Sequence, residues 1–92
     1  MIRGFKDRNT QSLYEGNRVR QFQGFTDQAV RRLTILNNAE TLEDLKYLRS
    51  NRFEALSGDR KEQFSIRINK QWRICFRWAE DGPFDVEIVD YH

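Results

Sequence analysis

Between Phe64 and Trp78, apolar and polar side chains alternate with a period of two, and the pattern is interrupted once. Phe64, Ile66 and Ile68 take every second position, and Trp72, Ile74, Phe76 and Trp78 do the same further on. Ser65, Arg67, Arg73, Cys75 and Arg77 fill the gaps. Successive strand side chains point to opposite faces, so this pattern fits half-buried strands and does not fit a helix. Asn69-Lys70-Gln71 leaves room only for a hairpin tip. The pairing follows: Ile68 with Trp72, Ile66 with Ile74, Phe64 with Phe76. On the other face Arg67 stands opposite Arg73 and Ser65 opposite Cys75. After the Asp81-Gly82-Pro83 turn, Phe84, Val86 and Ile88 alternate with Asp85, Glu87 and Val89 as a third antiparallel strand. A loop over 79–83 would set Arg77 opposite Asp85 and Arg73 opposite Val89, with Tyr91 diagonal to Arg73.

Upstream, the pattern is helical. "MIRGF" reads as a short first strand through Ile2 and Phe5. Asp7 is placed to N-cap a helix over 8–15, with Gly16 at the position that ends it. Thr26 is expected to cap a second helix, in which Ala29, Val30, Leu33, Leu36 and Asn37 recur on one stripe. Thr41 and Asp44 fit a capping box for a short turn, Leu42–Lys46. Ser57-Gly58-Asp59 favours a turn. Helices followed by a meander predict an α+β layer fold, with two N-terminal helices packed on an antiparallel sheet as a compact single domain over 1–92. Phe64, Ile66, Ile68, Ile74, Phe76, Val86 and Ile88 are expected to face the helices.

Composition narrows the function classes. With one cysteine, Cys75, the chain has no internal disulfide and no cysteine-rich zinc site. One histidine and scattered carboxylates give no metal-ligand spacing, and no glycine-rich phosphate loop is present, so neither metal nor cofactor is expected. No signal peptide or long apolar run appears, which predicts a cytoplasmic protein without a membrane partner. The net charge is only +2, but residues 1–36 and 64–79 are each basic by four charges while the last thirteen residues carry five carboxylate side chains. Such segments suit a polyanion.

Two arginines directly opposed on a solvated face repel unless an anion lies between them, and the arginine fork matches a phosphate. The alternative is that the acidic last strand neutralises them. RNA can be cut by attack of a ribose 2′-OH on the adjacent phosphorus, which needs a base, an acid for the leaving oxygen and a cation for the phosphoryl charge. Arg73 is a candidate for the cation, and His92, the final residue, for a proton-transfer group. Tyr91 is a candidate to stack on a base or bond a phosphate, Asp90 to orient the imidazole, and Glu54 to act as a base. Arg67, Lys70, Arg60, Arg77 and Arg20 are candidate contacts to RNA.

"MIRGF", "EALSGDR", "SIRINKQWRICF" and "VEIVDYH", in this order and nearly end to end, resemble the HigB/GraT group of bacterial toxins in the RelE/ParE superfamily of toxin–antitoxin systems. The resemblance implies a RelE-like fold and a toxin that enters the ribosomal A site and cleaves translated mRNA. It implies a cognate helix-turn-helix antitoxin of the HigA kind, and contact with operator DNA only through that antitoxin. Asp90, Tyr91 and His92 match the functional C-terminus of the group, and Arg73 matches its hairpin arginine. Glu54 and Ser57 stand where the best-known members, with "HPLKGDR", carry His and Lys. Two further expectations are a ParE-like noncatalytic inhibitor of DNA gyrase, which needs no terminal histidine, and a noncatalytic RNA-binding domain that uses the basic face alone.

Overall fold

The computed structural model describes residues 1–90. Three helices, α1 (Arg8–Tyr14), α2 (Thr26–Asn38) and α3 (Leu42–Tyr47), precede four strands, β1 (Glu54–Ala55), β2 (Phe64–Arg67), β3 (Trp72–Ala79) and β4 (Gly82–Asp90). The strands form one antiparallel sheet in the order β1-β2-β3-β4. No helix among the described residues is long and apolar enough to cross a membrane.

The caps follow the local chemistry, with one exception. Asp7 accepts from the Thr10 amide at 3.1 Å and starts α1, and Gly16, at φ +95°, follows its end. Thr41 and Asp44 form the reciprocal capping box of α3. Thr26 does not cap α2. A 3-10 turn over Arg20–Phe25 runs directly into the helix, so Thr26 is already helical, and its hydroxyl donates to the Phe22 carbonyl at 2.8 Å. The short turn expected over Leu42–Lys46 is α3, and the two-residue strand β1 is the element that was not expected. "MIRGF" is not a strand: it makes a single parallel bridge, Phe5 to Val86, beside β4. Ser57-Gly58-Asp59 leads into a 3-10 turn at Gly58–Arg60.

The core lies between the helices and one face of the sheet. Leu13, Phe22, Leu33, Leu36 and Leu45 pack against Ile66, Ile74, Phe76 and Val86, all essentially inaccessible. Thr10, buried on α1, accepts from the Ile88 amide at 3.0 Å and ties that helix to β4.

The β2–β3 register is the one expected, including Arg67 opposite Arg73. The β3–β4 hairpin reaches its register differently. Its tip is tight, with Ala79 opposite Gly82, so Arg77 faces Phe84 and not Asp85. Between Cys75 and Arg77 the register shifts by one residue, and Asp85 sits there at φ +51°. This bulge restores the pairs Cys75–Glu87 and Arg73–Val89. It also moves Phe84 to the Arg77 side, off the face that Val86 and Ile88 present to the helices.

Candidate functional site

The second face of the sheet carries a transverse polar row. Glu54 pairs with Ser65, Ser65 with Cys75, and Cys75 with Glu87, so four neighbouring strands set these side chains on one side. Arg73, two residues along β3 from Cys75, shares that side. The expectation that this face is solvated is not met. Ser65 and Cys75 are fully buried and Arg73 is 7% exposed.

Arg73 is held by oxygen acceptors on three sides. Its Nε donates to Ser65 Oγ at 2.8 Å, and its Nη2 donates to the Arg52 carbonyl and, at 3.5 Å, to the Ser65 carbonyl. Arg52 has φ +47°, a left-handed conformation that turns this carbonyl toward the guanidinium. Glu54 Oε1 lies 3.8 Å from Arg73 Nη1, with its own side chain half exposed. The opposed pair Arg67 and Arg73 therefore has its repulsion relieved by protein oxygens, with no anion needed between them: Arg67 Nε donates to the Asn69 carbonyl at 3.0 Å.

Next to this pair, Arg60 donates to Glu87 at 2.7 Å and to Gln63 Oε1 at 3.0 Å, and Lys6 stands 3.8 Å from the same Glu87 carboxylate. Burial pushes the Cys75 thiol up from its ordinary value; Arg60 opposes that shift and Glu87 adds to it. Glu54, Ala55, Leu56, Ser57, Asp59 and Arg60 line an open polar depression beside the Glu54–Arg73 pair.

The structure thus gathers Glu54, Arg73 and Arg60 around one stretch of the sheet. Arg77 is separate, shared between Asp85 at 3.6 Å and Glu62 at 3.9 Å. Asp90 is in register with Trp72, on the side opposite Arg73, and accepts from Gln71 Nε2 at 3.0 Å. Lys70 is exposed at the hairpin tip and Arg20 at the start of the 3-10 turn before α2. Tyr91 and His92 lie outside the described residues. Ser65, Arg52, Gln63 and Glu87 were not among the sequence candidates. The parity of Ser65 and Glu87 in their strands was readable, but nothing in the sequence marks Arg52 as left-handed.

A family model described as the RelE-like toxin of the type II toxin–antitoxin system HigB matches residues 3–92. The chain is 40% identical over 78 residues to Toxin HigB-1 of Vibrio cholerae serotype O1, covering 83% of this chain and 82% of that one. Its fold is similar to that in the YoeB–YefM complex from Staphylococcus aureus, with a TM-score of 0.59 and 16% identity over 100% of this chain and 98% of that one.

Proposed function

The chain belongs to the HigB-like family of RelE-like toxins of type II toxin–antitoxin systems, and on that premise we propose that it is a ribosome-dependent endoribonuclease that cuts translated mRNA. A toxin of this type has an antitoxin partner. The proposal adds that the antitoxin is a helix-turn-helix protein of the HigA kind, that the complex meets operator DNA through it, and that toxin and partner are cytoplasmic.

The observation that carries the reading is the half-exposed Glu54 carboxylate, 3.8 Å from the buried guanidinium of Arg73 and open to the polar depression at Glu54–Arg60. In this mechanism Glu54 takes the proton of a ribose 2′-OH, the 2′-oxygen attacks the adjacent phosphorus, and the bond to the 5′-oxygen breaks. The products are a 2′,3′-cyclic phosphate and a new 5′-OH. His92 supplies the proton to the leaving oxygen, since an imidazole exchanges protons near neutral pH. Arg73, fixed by Ser65 and Arg52, orients Glu54 and places positive charge behind the reacting phosphate. Tyr91 contacts the substrate and Asp90 braces the strand end. Arg60, Arg67, Lys70, Arg77 and Arg20 contribute to the positive field that draws RNA and the ribosome.

The test is to map RNA ends in a translating extract. The parent is expected to create new 5′ ends within translated mRNA, and Glu54→Gln and His92→Ala are expected to lose them while still binding ribosomes. A parent that creates no ends but blocks supercoiling by purified gyrase would replace this reading with the noncatalytic one.

A further inference from the structure

We propose that Arg31, Arg32, Arg49 and Arg52 form a second phosphate-binding surface, which holds the backbone of the RNA strand away from the scissile bond. The inference rests on the reading of the chain as an RNA-acting toxin. It concerns a surface of which the mechanism above uses only the Arg52 carbonyl.

Two shallow depressions meet at Ser50. One is lined by Arg49, Ser50 and Arg52, the other by Gln28, Arg31, Arg32, Ser50 and Ile68. Four arginines therefore line two depressions that share Ser50, and neither lining includes a carboxylate. Among the described residues none of the four arginines is within ion-pair distance of an Asp or Glu. Of the other described arginines, those at 3, 60, 73 and 77 have such a partner and those at 8, 18, 20 and 67 do not, but none of the latter lines these two depressions.

The surface is also partly preorganised. Arg32 Nη1 donates to Asn51 Oδ1 at 2.8 Å and to Ser50 Oγ at 3.2 Å. Asn51 is fully buried and its amide donates to the Leu45 carbonyl at 3.0 Å, so Arg32 rests on a fixed support. Burial and the neighbouring Arg31 both disfavour the charge on Arg32, a cost that a bound anion relieves. Arginine forks match phosphate oxygens, and a row of them follows a polyanion better than it follows a small ligand. The surface also continues into the candidate site, because the Arg52 carbonyl is itself an acceptor for Arg73. One RNA strand can then touch both regions.

The test is binding to a fluorescein-labelled, uncleavable 2′-O-methyl RNA oligonucleotide, titrated at several salt concentrations. The Arg31→Gln/Arg49→Gln double variant changes two exposed side chains that have no partner among the described residues, so it should fold as the parent does. Each lost single-strand phosphate contact lowers the steepness of log Kd against log salt by about 0.7, so a fall of about 1.4 is expected, with roughly tenfold weaker binding at low salt. A slope and Kd equal to those of the parent overturn the proposal, and so does a parent that does not bind. A double variant that binds RNA normally but loses the cognate antitoxin also overturns it, and assigns the surface to an acidic protein instead. If the parent cuts no mRNA yet its RNA binding depends on these arginines, the nuclease reading fails and the surface stands.

Discussion

Glu54 and Arg73 meet at 3.8 Å because β1 and β3 flank β2, which sets Glu54, Ser65 and Cys75 in one row with Arg73 beside it on the same face. The pair is unequal. The guanidinium is buried and bonded to Ser65 and Arg52, while the carboxylate is half exposed. The cation is held in place, and the anion has room to turn toward a substrate.

Glu54→Gln should therefore separate chemistry from stability. A half-exposed ion pair contributes little, so the urea midpoint should move by less than about 1 kcal/mol equivalent. Loss of a general base should slow cleavage by about 10²- to 10⁴-fold, read from the rate at which new mRNA ends appear. Unchanged cleavage would remove Glu54 from the mechanism.

Ser65→Ala should act in the reverse order. It leaves the buried Arg73 Nε without its hydroxyl partner, at a cost of about 1–3 kcal/mol. The urea midpoint should fall with an unchanged m-value. Cleavage measured well below the unfolding transition should fall less than with Glu54→Gln. A midpoint equal to the parent's would mean that Arg73 does not depend on this hydroxyl.

The thiol of Cys75 makes stability depend on alkaline pH. Its folded pKa is raised by burial above the ordinary value of 9.0. A neutral thiol thus favours the folded state fully below that value, and the contribution is lost as pH rises toward the folded pKa. The parent should lose stability more steeply than Cys75→Ala as pH rises above about 9, measured by urea unfolding at each pH. Parallel curves would refute the assignment.

Gly82 sits at φ +128° at the tip of the β3–β4 hairpin, where an added Cβ would run into the Met1 carbonyl. Gly82→Ala should cost about 1–3 kcal/mol in backbone strain. It should also loosen the N-terminal segment, whose Arg3 amide donates to the Pro83 carbonyl at 2.7 Å. Faster amide exchange at Arg3 and Lys6 than in the parent is the expected sign, and unaltered exchange would show that the segment is held elsewhere.

The parts of this fold that could be read in the sequence are those set by local repetition. Strict alternation fixed the β2–β3 register, and the Asp7 and Thr41 caps each depend on residues within one turn. Thr26 looked like a cap, but a preceding 3-10 turn, which has no clear period, already supplied the helix start. Alternation reports which side a residue takes and not what covers that side, so the burial of the polar face is not legible in it. The cover comes from residues 52–63, an aperiodic stretch in which the Arg52 carbonyl and the Arg60 side chain reach back to the sheet and Gln63 holds Arg60. Glu54 and Arg73 could be named as candidates from their chemical types and the resemblance, but their contact depends on β1, a strand too short to show a pattern.

The bulge at Asp85 also acts as a phase shifter. Upstream of it β4 keeps the step set by the hairpin tip, and downstream the strand is displaced by one residue, which turns Glu87 toward Cys75 and Arg60 and leaves Val86 and Ile88 for the helices. Removing that one residue would invert the far half of the strand, forcing a carboxylate into the oily interior and two aliphatic chains out among the arginines. The sidedness of the whole far half of β4 is thus decided by a single backbone irregularity near the middle of the strand.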